Sequence, residues 1–364
     1  MKKIVFFTQS LECGGVQKSV STLANSLKYR FKVSIILAED HKDFFYKVDN
    51  IDVFKIKTLK INTKEKNVGL KLFDYRKKEL EALLEKISPE IVISYEDYHN
   101  LILLNTNYKC KKIISIRNSI YNLYKKEERI HLLDSNFYFE NIKLFYPKAD
   151  KIITVSNHIN NELKELCDLS NIVTIYNGIS ENNSNELFNY HKPFILNVAR
   201  LNKRKGQCDL IEAFNLIKDN IEHDLFIIGD GVEKEKLQTL IKNLNISDRV
   251  KLLGRKRPSS YIKSCDLFVF PSKSEGFSNV ILEVISCKKN ILAYNYKGSN
   301  EILPSQNTIE IGEIRLLANK ILYFLQNEKI NEQYADNLFN ISKKFTLEKT
   351  LENYKKEILS LCVE

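Results

Sequence analysis

Two glutamates spaced as E-x7-E, Glu275 and Glu283, stand in the stretch SKSEGFSNVILEVISC. Glu275 precedes a Gly-Phe pair that reads as a turn, and the helix it opens is expected to begin near Ser278. A carboxylate beside a helix N-terminus is favoured by the helix dipole, so Glu275 alone requires no ligand. Glu283 is harder to explain. Val280, Ile281, Leu282, Val284 and Ile285 surround it, so its helix is expected to be buried nearly all round. A buried carboxylate needs a hydrogen-bonding partner, and a ligand hydroxyl would serve. A second stretch, ARLNKRKG, carries Arg200 and Lys205 just after an apolar run. A planar Arg fork and a mobile Lys point charge suit a diphosphate; a solvated basic loop is the plain alternative. CGGV contributes Gly14 and Gly15, which allow close backbone approach and open a helix whose N-terminus favours an anion. In GDGVEKEKL, Asp230 reads as a cap and Gly229 and Gly231 as tight-turn residues.

Something must hold these loops at one edge. Short runs rich in Ile, Val and Phe (KIVFFT, KVSIILA, EIVISYE, KKIISIR, KIITVS, NIVTIY) alternate with segments of helical period, and the second half repeats the pattern with FILNVAR, DLFIIGDG, VKLLGR, DLFVFPS and NILAYNY. Alternating strands and helices imply parallel sheets covered on both faces. The polar, turn-rich NGISENNSNELFNYHKP between the halves reads as a linker. The fold class is therefore α/β, with two Rossmann-like, doubly wound domains facing each other across a cleft. In such sheets ligands bind beyond the carboxyl ends of the strands, where the singled-out loops fall.

Composition limits the rest. A chain of 364 residues with 43% hydrophobic content can bury two domain cores. Seven cysteines without a C-x-x-C pair fit reduced thiols in a cytosol better than disulfides or a zinc site. The basic, apolar N-terminus is too short before its glycine turn for a signal peptide and reads as a first strand, and no apolar run would span a bilayer. The net charge of +10, heavier in the first half, asks for an acidic partner or surface. Nucleic acid is set aside, because the lysines are dispersed and no nucleic-acid-binding motif is present. Residues 121 to 146 interleave Tyr121, Tyr124, Phe137, Tyr138, Phe139, Phe145 and Tyr146 with Lys125, Lys126 and Arg129. Such a segment suits an anionic membrane surface, and packing of the rings into the core is the alternative.

In combination these stretches carry a resemblance. GGVQKSVSTLANSL, YPKADKIITVSN, IYNG, ARLNKRKG, LFIIGDG, CDLFVFPSKSEGFSNVILE and GSNEIL resemble the retaining glycosyltransferases of family four, which have the GT-B fold, over nearly the whole chain. EGFSNVILE looks most like bacterial enzymes that extend surface glycans. The resemblance implies an acceptor-side domain over 1–178, a linker over 179–192 and a nucleotide-sugar domain over 193–345. The last helix, 346–364, would pack back on the first domain. It implies transfer of a hexose or N-acetylhexosamine from a UDP-sugar to a growing lipid-linked surface glycan, such as a capsule or lipopolysaccharide. The enzyme would be cytoplasmic, peripheral on the cytoplasmic face of the inner membrane, with the nucleotide-sugar as substrate, no cofactor and no metal.

By the match, Arg200 and Lys205 would neutralise the leaving diphosphate, helped by backbone at Gly276, Phe277, Ser278 and Asn279. Glu275 would hold sugar hydroxyls and Glu283 the ribose. Gly14 and Gly15 would close over the phosphates, and Gly254 and Arg255 would contact the base. The chain departs from the family at one place: Arg117 and Asn118 stand where relatives carry a histidine. His99, in EDYHN, is the substitute candidate for an acceptor-site base, with Arg117 and Asn118 as acceptor-side residues. Two other readings are a sugar-nucleotide epimerase of the same fold, which would lack the E-x7-E pair, and a non-catalytic glycan-assembly partner.

Overall fold

The computed structural model describes residues 1–12, 14–39, 44–59, 67–120, 133–180 and 186–362. They form two compact units: Met1–Asn177 with Glu348–Glu364, and Gly178–Leu347. The first unit is built on a seven-stranded sheet in the order β3-β2-β1-β4-β5-β6-β7. Its strands are β1 (Lys3–Thr8), β2 (Lys32–Leu37), β3 (Asp52–Lys55), β4 (Ile91–Tyr95), β5 (Lys111–Ile116), β6 (Lys151–Thr154) and β7 (Ile172–Thr174). Every pairing is parallel. Parallel strands are covered on both faces, which is why β1, β2 and β4 read as unbroken apolar runs rather than alternating ones.

The second unit repeats the scheme with six strands in the order β10-β9-β8-β11-β12-β13. These are β8 (Phe194–Val198), β9 (Asp224–Ile228), β10 (Val250–Leu252), β11 (Leu267–Phe270), β12 (Ile291–Tyr294) and β13 (Thr308–Ile309). One core gathers Leu210, Phe214, Leu225, Ile227, Val269, Leu292, Leu317 and Ile321 around this sheet. The strand order reverses direction between β8 and β11, which are paired neighbours. That switch point opens a crevice at the carboxyl edge of the sheet.

Two strands went unread in the sequence, β3 and β13. Both lie at a sheet edge; β3 is half-exposed along its four residues, and β13 has only two. The last helix, Leu347–Ser360, belongs almost wholly to the first unit. Its Tyr354 and Ile358 join Ile4, Phe6, Ile35 and Ile93 in that unit's core. Thr350 Oγ1 donates to the Tyr176 carbonyl at 2.9 Å, and Lys151 pairs with Glu357 at 2.8 Å.

The aromatic segment is corrected in part. Tyr138 and Tyr146 are fully buried, and Tyr146 donates its hydroxyl to Asp97 Oδ1 at 2.7 Å. Phe137 packs edge-on against Phe73. These rings serve the core, because the helix Ser135–Phe145 turns its Tyr138 and Ile142 face inward. Tyr121, Tyr124, Lys125, Lys126 and Arg129 lie outside the described residues. No helix among the described residues is long and apolar enough to cross a membrane.

Candidate active site

At the switch point of the second unit, the loops after β8 and β11 are fastened to one another. The loop after β8 runs through Arg200 into a 3-10 turn, Lys203–Lys205, and ends at Gly206. Gly206 has φ +70, and a Cβ there would run into the Pro271 carbonyl, so only glycine fits between the two loops. Lys273 N donates to the Arg204 carbonyl at 2.8 Å. Lys205 Nζ then reaches Glu275 Oε1 at 2.5 Å, with side-chain exposures of 14% and 11%. Ser272 Oγ donates to the same carboxylate oxygen at 2.5 Å, and the Lys205 ammonium also lies over the Phe270 ring. A cation and an anion thus meet at the point where this fold class receives a ligand.

A second brace holds the β11 loop from below. Asp209, in the first turn of the helix Gln207–Ile217, accepts from the Tyr294 hydroxyl at 2.9 Å. It also pairs with Lys273 at 3.0 Å. Burial lifts the Tyr294 phenol well above its ordinary value, and the Asp209 carboxylate lifts it further, so it stays a proton donor. Arg200 is exposed, and among the described residues its guanidinium makes no ion pair. Lys205 is engaged and Arg200 is available.

The neighbouring loops join the same edge by backbone contacts. Leu201 N donates to the Asp230 carbonyl at 3.0 Å, and Gly229 N to the Gly254 carbonyl at 2.9 Å. Added Cβ atoms at Gly229 and Gly231 would stand against the Ala199 and Leu201 carbonyl oxygens, so close packing of backbone on backbone explains both glycines. Arg255 is mostly exposed, its Nε 3.6 Å from Asp230 Oδ2. Gly254 has φ +67 with nothing near its missing Cβ. Beyond Glu275, Gly276, Phe277 and Ser278 are buried, and the helix Asn279–Ser286 starts with Ser278 in the N-cap position, its backbone extended. Phe277 packs on Phe345 at 5.4 Å. Glu283 is half-buried between Leu282 and Val284, which are sealed.

The first unit holds the other candidates. Gly14 precedes the helix Gly15–Leu27 with an extended φ of 179, a conformation open to any residue, and an added Cβ would meet only the Gln17 side chain. Arg117, at the end of β5, is buried; its Nη2 donates to Asn177 Oδ1 at 2.6 Å and its guanidinium lies over the Tyr95 ring. Asn118 is half-buried beside it. The following residues are anchored to the helix Asn157–Leu166: Ser119 Oγ donates to Glu162 Oε1 at 2.8 Å, and Ile120 N to Oε2 at 3.2 Å. His99 is corrected. It is fully buried, edge-on to Phe7 and Tyr98, with Nδ1 3.7 Å from Glu96 Oε2. Packed there, it offers no nitrogen to an acceptor. The sequence missed Asp209 and Lys273, whose roles exist only through contacts distant along the chain, and Ser272, whose short contact to Glu275 three residues on needs the turn between them.

Among the described residues no cluster of His, Cys, Asp or Glu could hold a metal ion. Residues 13–183 match the family model "Glycosyltransferase Family 4", and residues 179–340 match "Glycosyl transferases group 1". A Campylobacter jejuni protein named N-acetylgalactosamine-N,N'-diacetylbacillosaminyl-diphospho-undecaprenol 4-alpha-N-acetylgalactosaminyltransferase is 27% identical, over 95% of this chain and 96% of its own. Among solved structures, a sucrose-phosphate synthase from Thermosynechococcus elongatus aligns with TM-score 0.86 at 15% identity, covering 99% of each chain. The Anabaena protein Alr3699/HepE, solved with UDP and glucose, aligns with TM-score 0.80 at 18% identity over 99% of this chain and 100% of that one. With two glycosyltransferase models spanning residues 13–340 and two parallel-sheet units matching solved GT-B structures, the chain belongs to the family-four type of GT-B glycosyltransferases.

Proposed function

We propose that the enzyme is a retaining, metal-independent glycosyltransferase that moves a hexose or N-acetylhexosamine from a UDP-sugar to a growing lipid-linked surface glycan. The observation that carries this reading is the Lys205–Glu275 pair, 2.5 Å across the switch point, with the exposed Arg200 on the same loop. Negative charge develops on the diphosphate as the sugar leaves. The Arg200 and Lys205 cations and the amides at Phe277, Ser278 and Asn279 stabilise that charge more in the transition state than in the bound donor. Glu275 takes the sugar hydroxyls and Glu283, deeper in its helix, the ribose. Gly254 and Arg255 supply the base contact, and Gly14 and Gly15 offer backbone that an anion can approach closely. Arg117 and Asn118, at the carboxyl edge of the first sheet, serve the acceptor.

The acceptor class draws support from the Campylobacter jejuni relative, whose name specifies a glycan on diphospho-undecaprenol. An acceptor rooted in a membrane suits a peripheral enzyme on the cytoplasmic face, and a net charge of +10 suits an anionic surface. The test is a panel of UDP-hexoses and UDP-N-acetylhexosamines, each incubated in chelator with a lipid-linked oligosaccharide extract. One donor should label the lipid fraction, and the anomeric proton coupling of the product should match that of the donor. An inverted product, loss of transfer in chelator, or conversion of the donor without acceptor, as an epimerase would give, overturns the reading.

A further inference from the structure

We propose that Tyr296 is a positioning residue for Glu275: its phenol becomes the hydrogen-bond donor to that carboxylate when a bound diphosphate draws Lys205 away. The proposal rests on the donor-site reading above and assigns a role to a residue outside it. Tyr296 follows β12, and Glu275 follows β11. The two strands are paired neighbours, so both residues emerge at one edge of the sheet. The tyrosine backbone is held there, its N–H donating to the Tyr294 carbonyl and its own carbonyl accepting from Ser299 N, each at 2.9 Å. The ring is 2% exposed. Its hydroxyl is sealed and meets no hydrogen-bond partner among the described residues. Buried hydroxyls are nearly always satisfied, so an orphan asks for a reason.

Glu275 supplies the reason. Its two described donors, Lys205 Nζ and Ser272 Oγ, both land on Oε1, each at 2.5 Å. The donor-site reading sets the same Lys205 ammonium against the diphosphate, so carboxylate and phosphate compete for it. A diphosphate carries more negative charge than one carboxylate and is the stronger competitor for the ammonium. Once Lys205 turns, Glu275 keeps only a serine hydroxyl in a place where it is 11% exposed. A carboxylate so placed needs another donor. The phenol has a proton with no other use. Burial pushes its pKa well up, and Glu275 and then Glu301 push it further, so the proton stays on the oxygen at any working pH. The exchange satisfies two groups together and leaves Glu275 aimed at the sugar rather than at Lys205.

The experiment uses Tyr296→Phe in the full chain, which removes one oxygen and keeps the ring. Expected are a melting temperature no lower than wild type and UDP affinity unchanged. With donor saturating, kcat should fall by about tenfold or more, with the donor KM little altered. Tyr296→Phe combined with Glu275→Gln should lose no more than Glu275→Gln alone. Wild-type kcat in Tyr296→Phe overturns the proposal. So do losses that multiply in the double variant, a lowered melting temperature, or coupling to Glu301→Gln in place of Glu275→Gln. If the wild-type enzyme neither binds UDP nor transfers sugar, the donor-site reading itself fails and takes this role with it. If the wild type does both and the variant matches it, only the role of Tyr296 is lost.

Discussion

Arg200 and Lys205 leave the same loop but are held differently, and their loss should read differently. Arg200 is exposed, so Arg200→Ala should leave stability within about 0.5 kcal/mol of wild type. Lys205→Ala strips the Glu275 carboxylate of its cation at a site only 11% exposed, and should cost roughly 1 to 3 kcal/mol of stability. Both variants should fold, and both should lose turnover by about 2 to 4 kcal/mol of transition-state stabilisation. Denaturant melts beside steady-state rates separate the effects, and wild-type turnover in either variant with donor saturating would remove that cation from the site. Glu275→Gln should depress kcat, whereas Glu283→Gln should mainly raise the donor KM. The types and spacing of these four residues were legible in the chain, because a charge beside a turn or inside an apolar helix stands out against its neighbours. Asp209 was not, since it acquires its role only from Tyr294 and Lys273, far along the chain, and Ser272 was not, since an ordinary serine gains a role only when a turn brings its hydroxyl onto Glu275. His99 misled for the converse reason: a loop histidine and a core histidine are identical in a sequence.

Loops that look alike in composition differ in what their geometry demands. Gly229 has its missing Cβ against the Ala199 carbonyl at φ +150, so Gly229→Ala should cost about 2 to 4 kcal/mol through combined overpacking and backbone strain. Gly14 is extended and faces only a flexible glutamine, so Gly14→Ala should melt with the wild type; a selective loss of donor affinity in it would report ligand approach alone. The loop after β5 gives a pH-dependent case. Burial by itself would raise the Glu162 pKa, but hydrogen bonds from His158 and Ser119 and the Ile120 amide outweigh it and leave it below its ordinary 4.5. A carboxylate with a depressed folded pKa contributes fully above the unfolded value and loses that contribution as pH falls through the folded one. Glu162→Gln should therefore be less stable than wild type at pH 7, and the gap should close as the pH is taken below about 4. Equal gaps at both pH values would show that the charge on Glu162 is not what anchors residues 119 and 120. Elements were the most legible scale, since strands buried on both faces advertise themselves as apolar runs. The edge strands β3 and β13 escaped because one is half-exposed and the other too short to carry a pattern.

Across the whole molecule, the two units share one chain that crosses between them twice, near Asn177 and again at Leu347. The first unit is therefore incomplete until the last helix is made. In the sequence both that helix and its destination came from the family resemblance, because an apolar stripe does not name the core it will enter. The structure places Tyr354 and Ile358, 1% and 0% exposed, in the core that contains β1. Glu357 pairs with Lys151 on β6, and Lys2 Nζ donates to the Cys362 carbonyl at 2.8 Å. Losing two sealed side chains of this size removes about 3 to 6 kcal/mol of burial from the first unit. The second unit has its own core, to which this helix contributes no residue. A chain ending at residue 346 should accordingly show a calorimetric transition for the first unit that is shifted down or lost, while the transition of the second unit stays in place. Nucleotide affinity gives the independent readout. If the donor-binding groups belong to Gly178–Leu347, the shortened chain should still bind UDP, though it should no longer transfer sugar. A first-unit transition that survives truncation unchanged would show that the C-terminal helix is an accessory to that core rather than part of it.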